Sequence, residues 1–281
     1  MSDTFKRLVR FKGADGATWY GEALAGHDSV GKTLTVYDGE LPWNLTKTDK
    51  KVEVAEILCP LAQAPIIYGI GLNYKKHIEE ANFPLPEHPT VFTKPPGALA
   101  GPYEDIPVNP QCLNMDYEGE MCVIIGKDCK NFTVDDDPAA YVLGFTVGND
   151  VSSRFWQMPG QSGNQHGYAK SFDKFAPIGP VIVSPSNLPH LRRGTPDLQL
   201  RTFVNGEERQ NTRTSDLLFD IADILQHLSR GTTIKQGTVI MTGTPSGVAA
   251  FLQPPNWLKS GDVVEVEIEG LGQIKNRLLW D

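Results

Sequence analysis

Two glutamates stand two residues apart where a polar stretch meets an apolar one, in the segment NMDYEGEMCVIIGK at positions 114–127. Alternate side chains of a β-strand point to the same face, so Glu118 and Glu120 would lie side by side. The residues that follow are apolar on both faces, which is typical of a central strand of a sheet. Two carboxylates at the end of such a strand repel each other and lose solvation, which favours a bound positive charge.

A third carboxylate comes from another apolar segment. Asp150 ends YVLGFTVGND, where a side chain emerges at the edge of a sheet. With Glu118 and Glu120 it would form an all-oxygen set without Cys or His, which suits a hard cation such as Mg²⁺, Mn²⁺ or Ca²⁺. Three protein ligands leave room for water or a chelating substrate, as in catalytic metal sites. Spacing alone leaves open that the two glutamates pair with lysines or face solvent.

A histidine and a glutamate at helical spacing form a candidate acid–base pair. His77 and Glu80 lie in GLNYKKHIEEANF, where the pattern predicts a helix over residues 73–82 with Asn73 as its N-cap. Positions i and i+3 share a helix face, so the carboxylate would orient the imidazole and raise its basicity. A surface pair without function is the plainer alternative.

Two further residues occupy positions that suit the binding of an anion. Lys170 lies between a glycine-rich loop and an apolar strand and is a candidate for contact with an anionic substrate or a developing oxyanion. Thr244 lies in MTGTPSGV, a segment whose backbone amides and hydroxyl groups are suited to a carboxylate. An exposed lysine and an ordinary turn are the alternatives that remain open.

Residues 26–33 match the phosphate-binding pattern G-x-x-x-x-G-K-[ST] letter for letter. That motif binds phosphate only where its lysine opens a helix. Here Lys32 and Thr33 begin KTLTVYDGE, whose alternating and β-branched residues predict a strand. We therefore expect a turn between strands rather than a nucleotide site.

The composition limits the class of protein. With 40% hydrophobic and 21% charged residues among 281, the chain is typical of a globular protein. Its net charge of −8 argues against nucleic acid or an anionic membrane as the main partner. No apolar run approaches about 18 residues and the first residues lack a secretory core, which predicts a cytoplasmic protein and leaves a mitochondrial location open. The four cysteines form no C-x-x-C pair, so we expect free thiols.

Strand patterns dominate the chain and predict a β-rich α+β protein. Four of them fill the first sixty residues, which predicts a small N-terminal β domain at 1–62 and a second, catalytic domain at 63–281. Helices are expected near 136–142 and from Thr214 or Ser215 to Gly231.

Two loops stand out between these elements. Asn205-Gly206 predicts a tight hairpin turn. The Gly/Gln/Ser-rich stretch 155–170 is long enough to suggest a functional loop.

Seven motifs, taken together, resemble those of the fumarylacetoacetate hydrolase family. In chain order they are GLNYKKHIEEA, FTKPPGALAGP, MDYEGEMCVIIGK, GFTVGNDVSSRFWQ, AKSFDKFAPIGP, VNGEERQ and IMTGTPSGV, within residues 65–281. The resemblance implies a mixed β-roll catalytic domain behind a small β domain, usually as a homodimer. It also implies that Glu118, Glu120 and Asp150 bind Mg²⁺ or Mn²⁺.

The same resemblance assigns roles to the other candidates. His77 and Glu80 correspond to a catalytic dyad on a mobile lid. Gln157 corresponds to a glutamine that faces the substrate. Lys170 corresponds to the lysine of a K-S-F-D motif and Thr244 to the threonine of T-G-T-P.

The sequence also departs from the family pattern. Ile70 stands where the long family member has a further acidic ligand, so the three-carboxylate form applies. Ser153-Arg154-Phe155 stands where the motif often reads S-A-R-D, and this departure affects the local hydrogen bonding on which the choice of substrate depends. Within the 155–170 loop, His166 and Trp156 are expected to shape the pocket.

These implications predict an enzyme that cleaves a carbon–carbon bond in a 2,4-dioxo acid, resembling an acylpyruvate or fumarylacetoacetate. A decarboxylase or keto–enol tautomerase acting on oxaloacetate-like acids is the alternative, because one metal-stabilised enolate serves all three reactions. A non-catalytic binding protein and a nucleotide hydrolase are the more distant alternatives. The expected partner is a small 2-oxo or 2,4-dioxo acid.

Overall fold

The computed structural model describes residues 4–24, 29–189 and 191–281, and it confirms the β-rich α+β fold. The strands, in chain order, are β1 (Arg7–Gly13), β2 (Thr18–Glu22), β3 (Thr33–Asp38), β4 (Thr46–Ile57), β5 (Ile67–Gly71), β6 (Thr90–Lys94), β7 (Leu99–Ala100), β8 (Ile106–Val108), β9 (Met115–Asp116), β10 (Gly119–Ile125), β11 (Cys129–Lys130), β12 (Val142–Asn149), β13 (Ser152–Ser153), β14 (Ala176–Val183), β15 (Gln199–Val204), β16 (Glu207–Arg213), β17 (Thr233–Ile234), β18 (Val239–Met241), β19 (Val263–Ile268) and β20 (Gly272–Trp280). The α-helices are α1 (Lys75–Glu80), α2 (Arg154–Gln157), α3 (Pro159–Ser162) and α4 (Ile221–Ser229).

The largest sheet has the glutamate strand β10 in its interior. Within the described residues its order is β2-β3-β4-β1-β14-β12-β10-β18-β5-β6, and β7 pairs with β14. Every residue of β10 is buried, and β12 and β18 pair with it on either side, which confirms the predicted central position. The sheet is mixed, because β5 runs parallel to β18 while β12 runs antiparallel to β10.

The four strands predicted at the N-terminus are confirmed as β1 to β4. β1 pairs with β2 and β4 and also with β14, so these strands continue the main sheet. The division of the chain at residue 62 stays a prediction. Thr33 opens β3 as the pattern predicts, whereas positions 26–28 of the phosphate-motif match lie outside the described residues.

A second sheet, in the order β16-β15-β19-β20-β8, approaches the beginning of β10. Its first hairpin turns at Asn205 and Gly206, whose φ angles of 51° and 82° are the left-handed values of a two-residue hairpin turn. The two sheets lie against each other at Gly119, where a Cβ would stand 2.1 Å from Thr202 Oγ1. Glycine at this position therefore lets β15 lie against the strand that carries Glu120.

The helix predicted over residues 73–82 is shorter than expected, and its predicted N-cap is wrong. α1 has six residues, and no side chain caps it. The fully buried Asn73 instead donates to the carbonyl oxygens of Thr242 at 2.7 Å and Phe219 at 3.2 Å, and it accepts the Phe219 N–H at 2.8 Å. Its amide satisfies distant backbone groups and so anchors the segment before α1 to the segment before α4.

The amphipathic helix α4 begins later than predicted. Asp220 caps it by accepting the Asp223 N–H at 3.0 Å, and the Asp223 carboxylate accepts the Asp220 N–H in return. The predicted caps, Thr214 and Ser215, lie in a separate 3₁₀-turn, because the Thr214 hydroxyl accepts a backbone N–H from the segment before β15 at 2.8 Å. Gly231 follows the helix with a φ of 71°, which confirms the predicted end.

Smaller features settle the remaining local predictions. The helix expected near 136–142 is only a 3₁₀-turn at Pro138–Ala140. The 155–170 loop contains α3 and a 3₁₀-turn at Tyr168–Lys170. All four cysteines are free, as expected, and all four are buried. None of the described helices is long and apolar enough to cross a membrane.

Candidate metal centre

Three buried carboxylates meet where β10 and β12 lie side by side. Glu118 precedes β10, Glu120 is its second residue, and Asp150 follows β12. The antiparallel register pairs Gly119 with Asn149, which brings the three acids to the same end of the strand pair. One oxygen of each carboxylate lies within 4.8 Å of the others. The predicted convergence is confirmed, and the group is suited to a divalent cation.

Lys170 belongs to this cluster and is only 2% exposed. Its Nζ lies 3.0 Å from Glu118 Oε2, 2.5 Å from Asp150 Oδ2 and 2.7 Å from Ser152 Oγ. Burial would lower the pKa of Lys170, but the charges of Asp150 and Glu118 outweigh it and raise that pKa. Burial would likewise raise the pKa of Glu118, but Lys170 and Arg154 bring it down to about 2. The alternative that Lys170 is an exposed lysine is therefore wrong. The alternative that the glutamates pair with lysines is confirmed for Glu118.

A second lysine, which no sequence pattern predicted, faces the same aspartate. Lys94 is fully buried, and its Nζ donates to Asp150 Oδ1 and to the carbonyl oxygens of Phe175 and, at 3.4 Å, Val151. Burial lowers the pKa of Lys94, while the charge of Asp150 acts in the opposite direction. The sequence feature that could have predicted a buried Lys94 is the alternation of β6, which places Lys94 on the same buried face as Phe92.

Lys94→Met is expected to lower the free energy of unfolding in EDTA by about 3–5 kcal/mol, because it removes one partner of a buried ion pair. A divalent cation should restore much of this loss, since it supplies positive charge to Asp150 and binds only the folded chain. Urea unfolding with and without Mg²⁺ measures both effects. Lys174→Met, which removes a half-exposed lysine paired with Glu104, is the control. Unchanged stability would show that Lys94 is no counter-ion.

Glu120 is the carboxylate without a cationic partner. It is 1% exposed, and its Oε2 accepts the backbone N–H of Gly243 at 2.6 Å. No Lys, Arg or His of the described residues forms an ion pair with it. Burial, followed by the charges of Asp150 and Glu118, raises its pKa well above the ordinary value. These residues fit a hard divalent cation, which would supply the missing charge beside Glu120.

The affinity for a divalent cation is therefore expected to increase with pH. Below the raised pKa of Glu120 the carboxyl group carries a proton that a cation must displace, and above it that competition ends. Glu118, with a pKa of about 2, is already ionised in this range of pH, so it does not contribute to the pH dependence of the cation affinity. Calorimetric titration with Mn²⁺ between weakly acidic and weakly alkaline pH measures the trend. An affinity that stays flat or falls would contradict it.

Arg154 connects Glu118 with two further residues. Its Nη2 lies 2.6 Å from Glu118 Oε1. Its Nε donates to Asp116 at 2.8 Å, and its Nη1 donates to Gln157 Oε1 at 2.8 Å. Gln157, expected to face the substrate, is thus brought to the cluster. Asp116 was not predicted, although it extends the alternation of Glu118 and Glu120 by one step.

The His77–Glu80 pair is formed, with a buried imidazole and a partly exposed carboxylate. His77 Nδ1 lies 3.0 Å from Glu80 Oε2, and His77 is 7% exposed. The imidazole packs edge-on against Phe251, with ring centroids 5.4 Å apart. Because Glu80 fixes Nδ1, Nε2 is the nitrogen left for proton transfer. The catalytic role of the pair stays a prediction.

One turn after β18 joins this pair to the carboxylates. Gly243 donates its N–H to Glu120, and Gly247 donates its N–H to Glu80 Oε1 at 3.2 Å. Gly243 has a φ of 105°, and a Cβ there would stand 2.9 Å from the carbonyl oxygen of Ile70. Only glycine fits this position, so the turn holds the two parts of the site in a fixed relation.

Thr244, in the same turn, is buried, and its hydroxyl already makes two hydrogen bonds within the protein. Its hydroxyl donates to the carbonyl oxygen of Gly119 at 3.1 Å and accepts from Gln210 Nε2 at 2.8 Å. A hydroxyl has one hydrogen to donate, so contact with a substrate carboxylate would require it to give up the bond to Gly119. Substrate binding by Thr244 stays a prediction.

The two loop residues expected to shape the pocket differ in their surroundings. His166 is exposed, yet partial burial and then the charge of Lys170 lower its pKa. Trp156 packs edge-on against Tyr168, and its indole N–H donates to the carbonyl oxygen of Gln111 at 3.0 Å. Trp156 therefore contributes to the packing of the loop.

Comparisons with known proteins agree with this geometry. A protein-family model described as fumarylacetoacetate (FAA) hydrolase C-terminal matches residues 66–279. The chain is 39% identical over 224 residues to a mitochondrial oxaloacetate tautomerase of Bos taurus, covering 79% of this chain and 69% of that protein. A solved 5-carboxymethyl-2-hydroxymuconate delta-isomerase from Mycobacterium smegmatis has a TM-score of 0.79 at 32% identity, covering 98% of this chain and 100% of the other. A solved fumarylacetoacetate hydrolase from Exiguobacterium antarcticum has a TM-score of 0.79 at 30% identity, with 98% and 100% coverage.

Proposed function

The chain belongs to the fumarylacetoacetate hydrolase family, and from this premise we propose that it catalyses the keto–enol tautomerisation of an oxaloacetate-like 2-oxo acid. Glu118, Glu120 and Asp150 would hold the divalent cation, Mg²⁺ or Mn²⁺, with Ca²⁺ as a further option. The observation that carries the proposal is the convergence of these carboxylates in a chain 39% identical to a protein named oxaloacetate tautomerase.

Cleavage of a carbon–carbon bond in a 2,4-dioxo acid becomes the second candidate. It is supported by the likeness to a solved fumarylacetoacetate hydrolase at 30% identity. In that reaction His77, oriented by Glu80, would deprotonate the attacking water. The relatives named for tautomerisation are the more similar in sequence, and they favour the first candidate.

The proposed reaction moves one proton and consumes no water. A divalent cation, when bound, would supply Lewis-acid stabilisation of negative charge on the substrate oxygens. His77 Nε2 takes the proton from the carbon next to the oxo group, while Glu80 holds the proton on Nδ1 and stabilises the imidazolium. Transfer of a proton from the His77 imidazolium to the enolate oxygen completes the conversion of the ketone to the enol. The reverse sequence converts the enol to the ketone.

The remaining residues bind and orient the substrate. The Lys170 ammonium, held against Glu118 and Asp150, would stabilise a developing oxyanion on the substrate. The carbonyl oxygen of Gln157 is used by Arg154, so its amide N–H groups are the ones left for a substrate oxygen.

One set of assays tests the proposal. The protein is stripped with EDTA and reloaded with Mg²⁺, Mn²⁺ or Ca²⁺, and the loss of ultraviolet absorbance of enol-oxaloacetate is followed together with CO₂ release. We expect metal-dependent loss of the enol without CO₂. Release of CO₂ would indicate a decarboxylase, and two acids formed from an acylpyruvate would indicate the hydrolase. No metal-dependent change with either substrate would contradict both candidate functions.

Two further properties stay predictions. A homodimer is implied by the family resemblance alone. A cytoplasmic location was expected from the sequence, whereas the names of similar proteins include the word mitochondrial.

A further inference from the structure

An aromatic ring packs against the imidazole of His77. The rings of Phe251 and His77 have centroids 5.4 Å apart and planes inclined by 77°, which is the edge-on arrangement of an aromatic contact. His77 is buried, whereas Phe251 is partly exposed. The Phe251 ring therefore covers part of the imidazole and keeps part of its own surface accessible to a bound molecule.

The turn that carries Phe251 is held by a buried carboxylate. Ala249–Phe251 form a 3₁₀-turn, and the fully buried Asp116 accepts the N–H groups of the first two residues of this turn at 2.8 and 3.1 Å. Arg154 Nε donates to the same carboxylate at 2.8 Å. Because these bonds hold the turn against the strand that leads to the carboxylate cluster, the backbone of Phe251 has a fixed position in the site.

The nitrogen that transfers the proton belongs to the same imidazole. Glu80 lies 3.0 Å from Nδ1 of His77, which leaves Nε2 for the substrate. In the proposed reaction Nε2 takes a proton from the carbon next to the oxo group, which is carbon 3 of the substrate. Since imidazole is a small ring, a substrate that places carbon 3 at Nε2 also brings the remaining group on carbon 3 close to Phe251.

We propose that Phe251 limits the size of the group that a substrate carries on carbon 3, and so selects 2-oxo acids with a small group there. A carboxylate, as in oxaloacetate, is small enough to be accepted, whereas a phenyl group or a long acyl chain meets the Phe251 ring. This inference rests on the proposed function, because it takes carbon 3 to be the atom that His77 deprotonates. The same limit would apply to the acyl group of a 2,4-dioxo acid, which is also bound to carbon 3.

Phe251→Ala is expected to raise the ratio of kcat/KM for the enol of phenylpyruvate to kcat/KM for enol-oxaloacetate by about tenfold or more, an effect typical of a change in pocket volume. The phenyl group of the substrate would take the space of the ring that is removed. A disturbance of His77 would instead lower both values together and leave their ratio unchanged. Phe251→Leu, which removes less volume, should change the ratio less.

The matched control is Phe203→Ala. Phe203 is also partly exposed, but the alternation of β15 turns it away from Gly119, which its neighbour Thr202 contacts. This control should leave the ratio of the two kcat/KM values unchanged. A ratio that stays at the wild-type value in Phe251→Ala would overturn the inference.

A binding measurement separates failure of this inference from failure of the proposed function. Calorimetry in Mg²⁺ compares lactate with 3-phenyllactate, two 2-hydroxy acids that differ only by a phenyl group on carbon 3, and it needs no turnover. We expect Phe251→Ala to bind 3-phenyllactate about tenfold or more tightly than the wild type does, with the affinity for lactate unchanged. This result supports the size limit even if no tautomerase activity is found. An affinity for 3-phenyllactate that does not increase in the variant overturns the size limit.

Discussion

Glu120→Gln is expected to abolish tight binding of a divalent cation and to lower kcat by about a thousandfold or more, since several kcal/mol of charge stabilisation correspond to a factor of this size. Glutamine has the shape of glutamate and keeps an oxygen for the Gly243 N–H, so the substitution removes charge with little change in packing. Calorimetric titration with Mn²⁺ and the enol assay measure the two effects.

The same substitution should stabilise the metal-free protein. The raised pKa of Glu120 means that the folded chain holds its proton more tightly than the unfolded chain, so ionisation of Glu120 above that pKa costs stability. A neutral glutamine removes this cost. The melting temperature in EDTA should therefore rise, while the further increase on adding Mn²⁺ should disappear.

The matched control is Glu267→Gln, also on a strand but with a partly exposed carboxylate paired with Arg201. It should leave the melting temperature, the effect of Mn²⁺ and kcat close to wild type. Binding of Mn²⁺ by Glu120→Gln with unchanged affinity would exclude Glu120 as a ligand. Lower stability in EDTA would show that its charge is compensated in the metal-free protein.

The balance of buried charge explains why a bound divalent cation would favour the binding of an anionic substrate. The cluster holds four carboxylates against three cations: Asp116, Glu118, Glu120 and Asp150 against Lys94, Arg154 and Lys170. With all of them ionised the protein alone has an excess of one negative charge, and a bound divalent cation would turn it into an excess of one positive charge. One carboxylate of a substrate then restores the balance, which favours acids over neutral ketones.

The parts of the site that could be predicted from sequence are those set by local periodicity. Glu118 and Glu120 face the same side because a strand alternates, and His77 meets Glu80 because a helix repeats. The turn at Asn205 depends on two neighbouring residues and is equally local. In each case the interacting groups lie within a few positions of each other.

The parts that could not be predicted depend on partners far along the chain. Lys94 binds Asp150, fifty-six positions away, and no sequence pattern near Lys94 predicts that contact. Asn73 is a good N-cap residue by type, but its amide is used by backbone 146 and 169 positions away. Thr214 fails as a cap for the same reason. Tertiary hydrogen bonds override local preference where a polar group is fully buried.

His77→Gln is expected to lower kcat by about 10²- to 10⁴-fold, the usual contribution of a general acid–base group, with the affinity for Mn²⁺ unchanged. Glutamine retains hydrogen-bonding capacity toward Glu80 but accepts no proton at neutral pH. The enol assay measures kcat, and calorimetry measures cation affinity. His227→Gln, at a histidine on α4 that stacks on His88, is the matched control and should leave both values unchanged.

The combination of results decides what His77 does. Loss of turnover with intact cation binding, and a smaller loss in Glu80→Gln, is the result expected of a base oriented by its carboxylate neighbour. A parallel loss of Mn²⁺ affinity would mean that His77 acts by holding the turn that carries Gly243 and Gly247, since that turn bonds to both Glu120 and Glu80. Unchanged turnover would place the proton-transferring group elsewhere, and Lys170 is then the next residue to substitute.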